Sequence, residues 1–246
     1  MSKEQEQLLQ WIDESDNIVF FGGAGVSTES KIPDFRSVDG LYKQNYDYPP
    51  ETILSHSFYI RNPEEFYRFY RDKMLFPDAE PNAAHIALAN LEKQGKLKAV
   101  ITQNIDGLHQ KAGSKTVLEL HGSIHRNYCQ RCAKFYDAEY LLANTEDIPH
   151  CTCGGIIKPD VVLYEEGLDQ KTIQDSIYHI SNADALIIGG TSLSVYPAAG
   201  LIDYFRGKYL VVINKSPTPR DEQADLLIAE SIGKVLGALE IKAVEE

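Results

Sequence analysis

The chain of 246 residues has no apolar run approaching the roughly 18 residues that a membrane helix needs. Its opening stretch, MSKEQEQLLQ, carries no signal-peptide core. A cytoplasmic protein without a membrane partner is the expectation. Positive charge is short: 24 Lys and Arg stand against 36 Asp and Glu, a formal net charge of −12. Nucleic-acid binding needs positive charge on the contacting surface, so direct nucleic-acid binding is not expected. Cysteine is scarce, with four residues confined to positions 129–153. Such clustering points to a metal and away from a disulfide framework. Three familiar signatures are missing. No G-K-[ST] closes a P-loop, and Thr28 stands where a G-x-G-x-x-G counted from Gly23 needs glycine. No G-x-S-x-G nucleophile elbow is present, so no Ser-His-Asp set is assembled.

Around the absent fingerprint there is still a phosphate-cradling turn. Residues 18–21 (IVFF) read as a short buried strand. Glycines follow at 22, 23 and 25, which let backbone approach a ligand and offer N–H groups to it. Ser27 and Thr28 then offer a helix start. Pro33 disfavours helix at Ile32, so Pro33, Asp34, Phe35 and Arg36 belong to a loop over the ligand.

The remaining chain alternates strands and helices. Helical spacing marks 4–15, 82–94, 169–180, 197–205 and 232–239. Strand patterns mark 98–102, 117–120, 161–163, 185–188 and 210–213, with a last short element at 224–228. This repetition predicts an α/β fold, a mostly parallel sheet covered on both faces. Ligands collect at the carboxyl ends of such strands, which selects the loops 22–36, 103–109, 189–195 and 214–216. Residues 41–76 break the pattern. They are rich in Tyr and Phe and carry a helix start at Pro63, as expected of a small helical lobe whose rings form its core.

Cys129-x2-Cys132 and Cys151-x-Cys153 are separated by eighteen residues. Two close pairs of thiolates suit tetrahedral zinc, and Gly154 and Gly155 allow a tight knuckle. Four sulfurs leave no open position for chemistry, so the metal holds the segment together. His150 is a competing donor. Among the polar loops, Gln103, Asn104 and Asp106 follow a strand directly, and an amide beside a carboxylate can recognise another amide. His109 satisfies the turn in this reading. His121 also follows a strand and has the right chemistry for a general base near neutral pH. Gly190, Thr191 and Ser192 suit phosphate or ribose, and Asn214 suits a ribose hydroxyl.

GGAGVSTESKIPDFR at 22–36, TQNIDGLH at 102–109, ELHGS at 119–123, the four cysteines, IIKPDVVLYEE at 156–166, GTSLSVYPAA at 190–199 and Asn214 together closely resemble the bacterial sirtuins, the Sir2-like NAD-dependent protein deacylases. The resemblance implies a Rossmann-like domain (1–40, 77–124 and 156–246) with a smaller lobe made of a helical module (41–76) and a zinc-binding module (125–155). It implies NAD+ contacts from Gly22, Ala24, Gly25, Thr28, Asp34, Phe35 and Arg36, with Phe35 shielding the ribose. Asn104, Ile105 and Asp106 hold the nicotinamide carboxamide and Gln103 touches the adjacent ribose. Gly190, Thr191, Ser192, Asn214, Lys215 and Ile232 line the adenosine side. His121 is the catalytic base. Val162, Leu163, Tyr164 and Val195 hold the acyl-lysine and its peptide, which lies as an added strand. Cys129, Cys132, Cys151 and Cys153 bind one structural zinc.

The activity implied is transfer of the acetyl group from acetyl-lysine to ADP-ribose, with release of nicotinamide and 2′-O-acetyl-ADP-ribose. Acetylated proteins or peptides are the implied partners, nicotinamide is both product and inhibitor, and a monomer is expected. A mono-ADP-ribosyltransferase and a non-catalytic NAD-responsive module remain as alternatives; acyl-peptide turnover separates both from a deacetylase. Three details depart from or extend the pattern. Gly23 stands where the family commonly has threonine, and Lys31 where it commonly has glycine. In family members that remove succinyl groups, a Tyr and an Arg face the acyl pocket, and those positions fall here on Tyr67 and Tyr70, which predicts a preference for neutral acyl groups.

Overall fold

Residues Ile18–Gly22 form the first strand, β1, and every one of them is buried. The computed structural model describes residues 1–34, 47–144 and 146–242. β1 pairs in parallel with β2 (Leu97–Thr102) on one side and with β7 (Ala185–Gly189) on the other. β3 (Val117–Glu119) extends the sheet beyond β2, and β8 (Tyr209–Ile213) and β9 (Leu226–Ile228) extend it beyond β7, giving the order β3-β2-β1-β7-β8-β9. All five pairings are parallel.

Side chains of β1 alternate between two cores, as the period of two demands. Ile18 and Phe20 pack with Leu8 and Ile12 of α1 (Lys3–Glu14), Leu88 and Leu91 of α5 (Ala83–Lys93), and Val235 and Leu236 of α9 (Ile232–Gly237). Val19 and Phe21 enter the opposite core with Ile180 of α8 (Gln170–Ser181) and with Leu201 and Ile202 of the segment Ala198–Tyr204. That last segment is a 3-10 helix, where the apolar spacing predicts an α-helix. Among the described residues, no helix is long and apolar enough to cross a membrane.

The helix start expected at Ser27 and Thr28 is replaced by two single 3-10 turns, Ala24–Val26 and Thr28–Ser30. Ser27 caps nothing, because its hydroxyl is used elsewhere. Lys31 stops the second turn in a left-handed conformation, φ 66°. That is the backbone a glycine adopts at least cost. Residues 32–34 then run as loop, as Pro33 predicts.

The smaller lobe has one continuous core. α2 (Pro50–Ile53), α3 (His56–Arg61) and α4 (Pro63–Lys73) supply Ile53, Phe58, Tyr59, Phe66, Tyr67, Phe69 and Tyr70. These meet Ile124, Ile157 and Cys129 from an antiparallel sheet of β5 (Phe135–Tyr136), β4 (Gly122–Cys129) and β6 (Ile157–Val161). α7 (Ala138–Ala143) adds Leu141. Only residue 161 of the run expected to be extended at 161–163 lies in a strand; β6 starts earlier, and beyond it the Val162 N–H is drawn to the His121 carbonyl.

Two histidines lie fully buried behind the loop after β2. His85 is on α5 and His109 on α6 (Leu108–Lys111), with ring centroids 4.7 Å apart. His85 Nδ1 accepts the Asn82 N–H at the start of α5, while His85 Nε2 and both nitrogens of His109 have no partner among the described residues. His109 therefore does not satisfy its turn with its side chain. Burial holds His85 down at about 4, against an opposing pull from Asp106, and burial with the neighbouring His85 holds His109 down at about 3. The unfolded chain then binds protons that the folded chain refuses, so stability is complete above the ordinary value of 6.5 and falls as pH drops towards 4. Each ring should cost about 2 kcal/mol of stability by about pH 5. Urea unfolding of a His109→Phe variant at neutral pH and at pH 5 should show a loss smaller than wild type by that amount; equal losses would remove His109 from the account.

Candidate active site

The sheet order reverses direction between β1 and β7, and the loops after β1, β2, β7 and β8 all open at one end there. In open α/β sheets this is where ligands bind. A cleft of about 750 Å³ occupies the position, lined by all four loops and by the stretch after β6. Its floor is a close crossing of two backbones. Gly25 N–H donates to the Gly190 carbonyl (2.8 Å) and Gly23 N–H to the Gly189 carbonyl (3.3 Å). A Cβ on Gly25 would lie 2.8 Å from Gly190 Cα, and Gly190 itself has φ 59°. These glycines are needed first for loop-on-loop packing, which also turns the loop surface into a cradle.

Gln103 leaves β2 with its N–H on the Gly22 carbonyl (3.0 Å) and its side-chain amide on Thr191 Oγ1 (3.0 Å), tying three of the loops together. Asn104 Nδ2 donates to Ser27 Oγ (3.0 Å), and Ser27 Oγ donates to Asp106 Oδ2 (2.7 Å). The other Asp106 oxygen accepts the Leu108 N–H (2.9 Å). The amide and carboxylate read from the sequence are thus bridged and oriented by one hydroxyl. The Ser27 hydroxyl, whose place in the sequence suggests a helix cap, serves as this bridge instead. The only signal of this in the sequence is a hydroxyl directly after the glycine turn. His125 was also missed: its Nε2 donates to the Asp106 carbonyl (3.0 Å) and its ring covers Gly107, which has φ 72°.

His121 lies on the cleft wall just after β3. Its Nδ1 is 2.9 Å from the Gln103 carbonyl, which can only accept, so Nδ1 carries the proton and Nε2 keeps the lone pair. Burial pushes the imidazolium below its ordinary value of 6.5, and the Gln103 contact opposes this in part. The ring is therefore neutral at neutral pH, as a base must be.

Ala24, Gly25, Thr28, Asp34, Gln103, Asn104, Ile105 and Asp106 all face the cleft, as do Gly190, Thr191, Ser192, Asn214, Lys215 and Ile232 on its other side. So do Val162, Leu163, Tyr164 and Val195. Gly22 is the exception. It lies buried beneath the cradle and contributes its carbonyl to Gln103. Phe35 and Arg36 fall outside the described residues. Tyr67 and Tyr70 do not reach the cleft. Both are buried in the lobe core, Tyr67 donating to the Ile157 carbonyl (2.7 Å), while Arg71 is held by the Glu146 and Asp147 carbonyls. Lys73 and Met74, one turn further along, are the ones that face it. The acyl preference argued from positions 67 and 70 loses its basis, because the buried face of α4 is set by the aromatic stripe of the lobe core.

The four cysteine sulfurs lie within 4.8 Å of one another. Tetrahedral zinc with Zn–S of about 2.3 Å places sulfurs about 3.8 Å apart. Cys129–Cys153 at 3.4 Å and Cys132–Cys151 at 3.6 Å, with the outer limit, bracket that spacing. Gly155 permits the approach, since a Cβ there would lie 2.7 Å from Cys129 Sγ. His150 turns its ring to Glu146 (3.5 Å) and is not part of the set.

The model of the Sir2 family matches residues 23–197. An NAD-dependent protein deacetylase of Clostridium acetobutylicum is 64% identical over 233 residues, covering 94% of this chain and 95% of that protein. Its counterpart from Clostridium perfringens is 62% identical, with 96% and 98% covered. Among solved structures, one described as "Sir2-p53 peptide-NAD+" has 40% identity and a TM-score of 0.86 over 97% of both chains. Another, described as "Structural Basis for the Mechanism and Regulation of Sir2 Enzymes", has 42% identity and a TM-score of 0.87 over 97% of both. With the family model spanning most of the chain and the same fold at this identity, the chain belongs to the Sir2 family.

Proposed function

We propose that the chain is an NAD-dependent protein-lysine deacetylase that moves the acetyl group of acetyl-lysine to ADP-ribose, releasing nicotinamide and 2′-O-acetyl-ADP-ribose. The observation that carries the reading is a neutral, oriented histidine, His121, on the wall of a glycine-floored cleft that also holds a bridged amide and carboxylate. A binding module has no need of such a base.

In this reading Ala24, Gly25 and Thr28 cradle the phosphates with Gly22 beneath them, and Gly190, Thr191, Ser192, Asn214, Lys215 and Ile232 take the adenosine side. Asn104, Ile105 and Asp106 hold the nicotinamide carboxamide, with Ser27 fixing the first and last of these. Asp34, with Phe35 and Arg36 beyond the described residues, closes the cofactor loop. NAD+, when bound, supplies the ribose that accepts the acetyl group as nicotinamide leaves. His121 takes a proton at Nε2, and its Nδ1 bond to Gln103 keeps that nitrogen free for the task. Val162, Leu163, Tyr164 and Val195 hold the peptide, and the neighbouring Ile105 and Ile124 keep the acyl end apolar. The corresponding division is a Rossmann-like body of residues 1–40, 77–124 and 156–246, a helical module of 41–76 and a zinc module of 125–155, with β6 as the seam. A cytoplasmic location completes it, supported by four unpaired cysteines that serve as thiolates only where they stay reduced.

His121→Ala should keep NAD+ binding and lose roughly 10²–10⁴ in turnover of an acetyl-lysine peptide, the usual worth of a general base. Mass identification of O-acetyl-ADP-ribose in the wild-type reaction is the direct test, and ADP-ribosylated protein without deacetylation would overturn the reading. Because the proton affinity of His121 is depressed, the neutral ring persists as pH falls. The acid limb of kcat/KM should therefore lie below the ordinary histidine value, about pH 6.5; a limb above that value would contradict the buried, carbonyl-bound ring.

Cys129, Cys132, Cys151 and Cys153 would hold one zinc ion, whose binding energy is folding energy for the lobe. A Cys151→Ser protein should lose most of its metal in elemental analysis and melt at a lower temperature. Full zinc retention would refute the four-sulfur assignment.

A further inference from the structure

Residues 162–166 follow β6, and in the reading above Val162, Leu163 and Tyr164 of this stretch hold the peptide. Most backbone groups of this stretch are already engaged. Val162 N–H donates to the His121 carbonyl (3.0 Å), Tyr164 N–H to the Leu54 carbonyl (2.9 Å), and the Tyr164 carbonyl accepts from His56 N–H (2.9 Å). Leu163 N–H donates to Glu166 Oε2 (2.9 Å), and Glu166 N–H returns to the Leu163 carbonyl (3.0 Å). Tyr164 is thereby tied through both its backbone groups to residues 54–56, where the chain enters α3, while the Val162 and Leu163 N–H groups are held by His121 and Glu166.

Two adjacent carboxylates reinforce that pairing. Glu166 Oε1 accepts His56 Nδ1–H (2.8 Å), while Oε2 lies 3.3 Å from Lys158 Nζ. Glu165 takes a left-handed backbone, φ 76°. For a residue with a side chain this is a strained conformation. Its carboxylate accepts both the N–H (2.8 Å) and the hydroxyl (3.0 Å) of Ser57. Both carboxylates thus grip the first turn of the same short helix. None of these contacts touches His121 Nε2, the glycine cradle or the Asn104–Ser27–Asp106 bridge.

We propose that Glu165 and Glu166 are positioning residues that lock the peptide-binding edge to the helical lobe through Ser57 and His56, so that peptide affinity depends on these two partners and the chemical step does not. The inference rests on the deacetylase reading and on peptide lying along residues 162–166. An added strand binds through fixed backbone directions, so an edge free to shift loses affinity before it loses chemistry.

The test is steady-state kinetics on one acetyl-lysine peptide with wild type, His56→Ala, Ser57→Ala, the double variant and His56→Gln. His56 is half exposed, and Glu166 keeps Lys158 and the Leu163 N–H when it is truncated, so no buried charge is orphaned. In the double variant the peptide KM should rise about 5-fold to 30-fold, the worth of one or two ordinary hydrogen bonds. Its kcat and its KM for NAD+ should stay at wild-type values. His56→Gln keeps an N–H for Glu166 and should recover most of the peptide KM lost in His56→Ala. An unchanged peptide KM overturns the inference alone. A fall of kcat and of melting temperature together, with no separation of the two KM values, also overturns it in favour of a merely structural contact. Absence of acetyl-peptide turnover in wild type overturns the deacetylase reading and this inference with it.

Discussion

The crossing of Gly25 over Gly190 is the constraint on which the rest of the molecule depends. At 2.8 Å from N–H to carbonyl, the loop after β1 and the loop after β7 are packed too closely for any side chain between them. This contact lies where the parallel sheet changes direction, so it joins the two halves of the sheet at their carboxyl ends. The neighbouring Gln103 then bonds to both loops, and His121 bonds to Gln103. A chain of contacts runs from a backbone packing requirement to the orientation of a proton acceptor.

Electrostatics in the cleft follow from burial combined with sparing use of partners. His121 is kept neutral by desolvation and given a single tautomer by one carbonyl. The Ser27 hydroxyl satisfies Asn104 and Asp106 at once, so the amide and carboxylate stay pre-aimed without a counter-charge between them. Behind them burial keeps the His85–His109 pair uncharged, and among the described residues three of its ring nitrogens have no hydrogen-bond partner. A cleft floor assembled this way holds its amide and its carboxylate in fixed directions.

Much of this architecture was legible in the sequence, for identifiable reasons. β1 and β7 are continuous apolar runs, as strands buried on both faces must be, and Asn82 and Asp169 cap α5 and α8 where the spacing puts their starts. Cys129, Cys132, Cys151 and Cys153 converge as their spacing implies. What local pattern could not carry was long-range partnership. Ser27 has the composition of a cap and the role of a bridge, because its partners are 77 and 79 residues away. Tyr67 and Tyr70 were read by register alone, whereas the turn of α4 that faces the cleft is decided by which stripe the lobe core claims. The helical segment at Ala198–Tyr204 winds more tightly than its apolar spacing suggests, and spacing does not separate the two helix types.

The smaller lobe joins two parts that look independent in sequence. The Tyr67 hydroxyl holds the Ile157 carbonyl of β6, and Cys129 and Cys151 share one apolar core with Phe58 and Phe66. β6 in turn runs directly into residues 162–166 on the cleft wall. The sulfur cluster and the cleft wall at residues 162–166 are therefore two ends of one mechanical element. Inactivation by a chelator would report the collapse of a scaffold at a distance from the reacting atoms, and metal content would set how much of a preparation can engage substrate without setting how fast each competent molecule turns over.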